Sequence, residues 1–234
     1  MILSALSQPV KPRPMFLDMD ARLVFGEVVT ATSDGCVLED AFGELYFLPK
    51  TECPQNEVPS IGRTLALMPE ANTVPGQPSL SSAVHPDIVL GVLEGVVPEV
   101  RSGKILVMGV ARAPGVRTKV AVATTEAGID PVKSCVGRQA SRVNRIKEYL
   151  GGERVDIVAW HDVLEDYVRA ALSPAEVTGV SFRHAADNPE KAVAIVVSVP
   201  QHQMPAVVGH GGLNSRLAST LIGARVEAQS TLQN

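Results

Sequence analysis

The chain has 234 residues, 45% hydrophobic and 20% charged, with a formal net charge of −4. That suits one large folded unit or two to three small ones, and the mild acidity argues against a general polyanion binder. No apolar run reaches the roughly 18 residues of a membrane span; the longest, such as KAVAIVVSV at 191–199, has strand length.

The opening, MILSALSQPVKPRP, has no basic start and turns proline-rich at once, unlike a secretory signal. A tail over residues 1–20 and a cytoplasmic protein are expected. Cys36, Cys53 and Cys135 are odd in number and form no C-x-x-C pair, so they read as reduced thiols. Charge is unevenly spread. Residues 1–103 hold 6 Lys and Arg against 13 Asp and Glu, and residues 104–234 hold 15 against 12. Within 130–147, Lys133, Arg138, Arg142, Arg145 and Lys147 face Asp130 alone. Any nucleic acid is expected on this C-terminal part.

That part repeats. A shift of 72 residues lays Gly137-Arg138-Gln139-Ala140 on Gly209-His210-Gly211-Gly212, RTKVAVA (117–123) on PEKAVAI (189–195), and Leu150-Gly151 on Ile222-Gly223. In the first copy, KILVMGVAR and TKVAVAT read as strands joined by the turn Ala113-Pro114-Gly115. Asp130-Pro131 supplies a helix N-cap and a proline at the first helical position. The short helix ends at Gly137, and Val143, Ile146 and Leu150 give the next helix its apolar face up to Gly151-Gly152. ERVDIVAW closes the unit as a strand. The second copy predicts strands at 178–184 and 191–199, helices from 201 and over 213–222, and a strand at 224–228. Each unit is β-β-α-loop-α-β, the order of a KH domain, in which a glycine loop clamps a single-stranded nucleic-acid backbone. Between the copies, 162–172 reads as a helical strut whose Leu164, Val168 and Leu172 share one face.

The stretches DPVKSCVGRQASRVNRIKEYLGGERVDIVAW, ALSPAEV and VPQHQMPAVVGHGGLNSRLA resemble the tandem KH region of the NusA family of bacterial transcription termination/antitermination factors. The resemblance covers about 84–226. It implies an α+β chain, with an N-terminal OB-like β-barrel of the ribosomal S-one type followed by two tandem type II (prokaryotic) KH domains. The divisions it suggests are a tail at 1–20, the barrel at 21–84, a connecting helix at 85–103, and KH domains at 104–172 and 173–234. Over the barrel the match is poor. About 20 residues stand where the family places its N-terminal polymerase-binding domain, so that domain is read as lacking here; a shortened relative and an excised core both remain open.

The resemblance implies contact with single-stranded RNA through Gly137, Arg138, Gln139, Ala140, Ser141, Arg142 and Arg145 at the first loop. At the second it implies Gly209, His210, Gly211, Gly212, Asn214 and Arg216. Ala140 departs from the family's glycine; alanine suits a helical first turn, and the nearby arginines compensate by reaching phosphate. RNA polymerase or other transcription factors are the implied protein partners, with a monomeric chain, no membrane, no cofactor and no metal. Phe25, Phe42, Tyr46 and Phe47 fit either a stacking face or barrel core, and the surrounding acidity favours core. Trp160 reads as packing. No G-x-S-x-G, H-E-x-x-H or Walker loop supports an enzyme. A KH/OB scaffold for protein contacts, and a general RNA-binding factor outside transcription, stay open as alternatives.

Overall fold

A computed structural model describes residues 15, 23–70, 76–185 and 188–231, without the side chains of 185 and 188–192. Apart from Met15, the expected tail lies outside the described residues.

Five strands close a barrel in the order β1-β2-β3-β5-β4: β1 (Val24–Ala31), β2 (Gly35–Asp40), β3 (Leu45–Pro49), β4 (Thr64–Pro69) and β5 (Ser79–Ser82). β3 and β5 run parallel; the other pairs are antiparallel. β1 closes the ring by pairing with both β2 and β4, and its register slips between Val28 and Thr30. Alternate residues, Val28, Leu38, Leu48, Leu65 and Leu67 among them, fill the interior. Cys36 and Cys53 are buried there and Cys135 in the next core; all three are free thiols. The aromatics divide. Tyr46 is buried, Phe47 half-buried, and Phe25 packs on Tyr149 of the following unit. Phe42, at the β2–β3 turn, is 87% exposed, so the expectation of core packing fails there.

Helix α1 (Ile88–Val96) follows, with every residue from Ile88 to Leu93 buried. A helix apolar all round must be enclosed. It sits in one continuous core with Ala66 and Met68 of the barrel and Val107, Val120, Ile146 and Leu150 of the first KH unit. The short α2 (Pro98–Arg101) leads into that unit.

The first unit is β6 (Leu106–Ala113), β7 (Arg117–Ala123), α3 (Pro131–Val136), α4 (Ser141–Tyr149) and β8 (Arg154–Ala159). The strut is α5 (Leu164–Leu172). The second unit is β9 (Gly179–Ala185), β10 (Asn188–Pro200), α6 (Met204–Val208), α7 (Leu213–Ile222) and β11 (Val226–Thr231). Each has its own three-stranded sheet, β6-β7-β8 and β9-β10-β11, with an antiparallel and then a parallel pair. The predicted N-cap forms as expected: Asp130 Oδ1 accepts from the Lys133 backbone N–H at 2.9 Å, with Pro131 in the first turn.

The 72-residue register holds at the loops but not at the central strands. Thr118 pairs with Val155 in the first sheet and Ile195 with Val226 in the second, all directed into their cores. Thr118 therefore corresponds to Ile195, an offset of 77, and the superposition of RTKVAVA on PEKAVAI is corrected. The reason is a length difference. Residues 124–130 connect β7 to α3, whereas β10 runs straight into the turn Gln201–Gln203.

The units share an apolar seam. Ala121, Val158, Met108 and Trp160 on the outer face of the first sheet meet Tyr167 and Ala170 of α5 and Leu221 and Ile222 of α7. Trp160 lies 6.3 Å from Tyr167, the packing role expected of it.

Candidate nucleic-acid interface

Both loops have nearly the same backbone. Gly137 (φ 76°, ψ 166°) and Gly209 (φ 70°, ψ 174°) occupy a region open essentially only to glycine. A Cβ on Gly137 would come within 2.8 Å of Arg142 Cγ, and one on Gly209 within 2.8 Å of Asn214 Cβ. The third and fourth positions are left-handed in both: Gln139 and Ala140 at φ 52° and 60°, Gly211 and Gly212 at φ 56° and 75°. Ala140 is thus not in a helical first turn, which corrects that expectation. It is the left-handed N-cap of α4.

The matching backbone has a matching clamp. Arg142 Nη1 donates to the Ser134 carbonyl at 2.7 Å and to Glu99 Oε2 at 2.9 Å. Asn214, 72 residues later, donates Nδ2 to the carbonyls of Ala206 (3.0 Å), Val207 (3.2 Å) and Leu172 (3.1 Å). In each unit the second residue of the following helix folds back, ties the preceding helix, and fixes the loop between them. Asn214 is fully buried. The structure turns it inward, away from the surface on which the resemblance placed it, and Arg142 commits one nitrogen to the same task. The sequence carried a signal, since residues 142 and 214 coincide in the 72-residue shift; glycine spacing alone does not reveal it.

The remaining residues face outward. Gln139, His210, Gly211, Arg216, Arg138 and Arg145 are exposed, Ser141 lies at the start of α4, and Gly212 is half-buried. A Cβ on Gly211 or Gly212 would meet nothing within 4 Å, so the front of loop two is open. Neither Ala140 nor Gly212 caps its helix with a side chain, which leaves the positive helix ends facing the loops. An open cavity of about 400 Å³ adjoins loop one, lined by Val132, Lys133, Val136, Gly137 and Arg138. A backbone free of side chains at its front, a basic rim and an apolar floor can hold a sugar–phosphate chain and the face of a base.

Residues 83–160 match the NusA-like first KH domain and residues 164–234 the NusA-like second KH domain. From residue 83 onward, the chain belongs to the NusA-like KH family. The transcription termination/antitermination protein NusA of Thermus thermophilus is 32% identical over 211 residues, 89% of this chain and 53% of its own length. The Bacillus subtilis protein of the same name is 36% identical over 158 residues, covering 68% and 41% respectively. That of Mycobacterium tuberculosis is 36% identical over 146 residues, covering 62% and 41%. The NusA-like chain spans about half the length of these relatives, and its match to the Thermus protein extends into the barrel region.

Proposed function

We propose that this chain is an RNA-binding factor of NusA type, acting in transcription termination and antitermination and holding single-stranded RNA at its two glycine loops. The observation that carries this is the recurrence of one strained backbone, with one clamp, at both loops, and open space before Gly211 and Gly212. A plain helical hairpin requires neither the left-handed pair nor the clear front. RNA polymerase or another transcription factor is the protein partner in this reading, which is of a monomeric, non-catalytic, cytoplasmic chain. The names of the relatives support the part in transcription termination and antitermination.

Arg138, exposed and without an ion pair among the described residues, is the arginine at loop one free to meet phosphate. One feature favours protein contact for the barrel: Phe42 stands exposed near Glu39 and Glu44 in the acidic half of the chain. The scaffold reading is therefore kept for the barrel surface, beside RNA at the loops.

The test is affinity for single-stranded RNA at several salt concentrations. Aspartate tolerates left-handed backbone better than most residues, and nothing crowds a Cβ at Gly211 or Gly212. Gly211→Asp with Gly212→Asp should thus stay folded by circular dichroism and lose about 1–3 kcal/mol of binding. Arg138→Ala should flatten the slope of log affinity against log salt by about 0.7 for each phosphate it no longer neutralises. If both variants bind like wild type, the loops serve only the hairpin and the scaffold reading takes over.

A further inference from the structure

One outer face of the barrel carries an apolar row open to solvent. On β2, β3 and β5, alternation turns Leu38, Tyr46, Leu48 and Ser81 into the barrel. Val37, Leu45, Phe47 and Leu80 therefore point outward. The ladder sets them side by side: Val37 pairs with Phe47, and Phe47 with Leu80. Leu45 and Leu80 are 42% and 37% exposed. Phe42 extends the row at the β2–β3 turn, and that turn is fixed. Asp40 Oδ1 accepts from the backbone N–H groups of Phe42 and Glu44 at 2.8 and 3.0 Å. Its Oδ2 accepts from the Tyr46 hydroxyl at 3.2 Å, and Gly43 N–H donates to the Asp40 carbonyl at 3.1 Å. A large ring held in water on a rigid turn is a preorganised anchor.

The rim of this row is acidic. Glu39 pairs with Leu45 on one side and with Glu27 on the other, so two carboxylates stand directly opposite on neighbouring strands. Such like-charge pairs destabilise a sheet. Among the described residues, Glu27, Glu39 and Glu44 have no Lys or Arg within ion-pair distance. Glu39 Oε1 lies 3.9 Å from where a Cβ on Gly43 would stand, beside the turn that carries Phe42. Over residues 24–82 the barrel holds 8 Asp and Glu against 2 Lys and Arg, so no neighbouring cations offset this rim.

Charge selects the occupant. OB barrels take oligonucleotides on the face of strands 2 and 3, but phosphate would be repelled by this one. A second copy would bring the same carboxylates into the contact. The closed ring leaves no strand edge for main-chain pairing, so recognition falls to side chains. The geometry points to a docking face for a basic protein segment: an arginine of the partner stacks on Phe42 and pairs with Glu39, and apolar side chains beside it cover Leu45, Phe47 and Leu80. A guanidinium does both, since it is planar, weakly hydrated and forked towards carboxylates. The docking face rests on the scaffold reading of the barrel surface given above and names the chemistry of its partner.

The experiment measures the full chain by fluorescence anisotropy against four probes. These are a labelled arginine–leucine peptide, its lysine–leucine and glutamate–leucine counterparts, and a single-stranded oligouridylate. Wild type is compared with Phe42→Ser, Phe42→Tyr, Glu39→Gln and Glu57→Gln. Phe42→Ser should weaken the arginine peptide about tenfold, the loss expected for one interface anchor. Phe42→Tyr should keep the affinity, and the lysine peptide should bind wild type more weakly. Glu39→Gln should weaken the peptide yet raise the urea midpoint, because it relieves the repulsion from Glu27; a merely structural role would lower both. Glu57→Gln, in a separate cleft beside Gly115 and Gly151, should bind the peptide like wild type. The oligouridylate should bind all five proteins alike. Peptide affinity that ignores Phe42 overturns the docking face and leaves only diffuse attraction between opposite charges. Self-association that Phe42→Ser abolishes overturns it in favour of a second copy. A glutamate–leucine peptide that binds through Phe42 keeps a protein contact but overturns the basic partner. RNA affinity that falls in Phe42→Ser overturns the scaffold reading itself, whereas wild type that binds no RNA sinks the function of the loops and leaves this face standing.

Discussion

Ala140 holds φ 60° and ψ 20°, a conformation that costs an L-residue about 1–2 kcal/mol. Glycine would remove that cost and lose about 0.4–1 kcal/mol through its freer unfolded chain. Ala140→Gly is therefore expected to stabilise the fold by roughly 0.5–1 kcal/mol, seen as a higher urea midpoint at unchanged m-value. Its RNA affinity should be equal or higher. An unchanged or lower midpoint would mean that the left-handed turn is not held in solution. The sequence showed that Ala140 stands where loop two has Gly212. It did not show the conformation, because Gln-Ala-Ser ahead of a helix reads locally as helix. Arg142, bound to Ser134 and Glu99, is a tertiary clamp that no window of neighbouring residues contains.

Among the elements, α1 and the β6–β7 hairpin decide how barrel and KH unit join. The resemblance implied a connecting helix over IVLGVLEGV, but not a core shared by two units. An apolar helix needs enclosure, and which surfaces provide it is set by the fold. The hairpin is pinned by the fully buried Glu153. Its carboxylate accepts from Arg112 Nε and Nη2 at 3.1 and 3.0 Å, from Gly115 N–H at 2.8 Å and from the Thr118 hydroxyl. Arg112 also donates to the carbonyls of Ala83 and His85, each at 3.2 Å, and so ties the segment before α1 to the hairpin. Glu153→Gln would leave the Arg112 charge buried without its counter-ion. A loss of roughly 3–5 kcal/mol is expected, measured by urea denaturation; a change under about 1 kcal/mol would show the pair to be dispensable. Residues 112 and 153 are 41 apart, and nothing in their local patterns couples them.

Across the whole molecule, the outer face of each sheet decides what can stack on it. The first sheet offers Ala111, Ala121 and Val158, and α5 and α7 cover it. The corresponding face of the second sheet carries Ser181, Ser198 and Gln229, with Arg183 and Arg225 paired to Glu227. A polar outer face ends a stack of like units. The covered face includes one costly group. Lys119 is fully buried, with Nζ donating to the Ser173 carbonyl at 3.1 Å and lying 3.6 Å from Asp156, which Arg117 and Arg154 also hold. Burial lowers its pKa from 10.5 to about 8. Below about pH 8 both folded and unfolded chains hold the proton, so this contribution is flat. Between about 8 and 10.5 the unfolded chain binds more protons, so stability should rise with pH. Urea midpoints across that range should show the rise in wild type relative to Lys119→Met; parallel curves would mean the group is solvated.

The sequence by itself determined the elements of the two KH units, the strut between them, and the place of each glycine loop; the barrel and the connecting helix came from the family resemblance. What the sequence determined rests on local rules: alternation in strands, apolar spacing in helices, Asp130-Pro131 at a helix start, and glycine where φ must be positive. Tertiary structure alone decided the register of β7 against β10, the left-handed turn at Ala140 and the burial of Asn214. Each depends on residues brought together by packing. Valine-rich strands look alike at offsets of 72 and 77, and a polar side chain reads as exposed until three backbone carbonyls surround it.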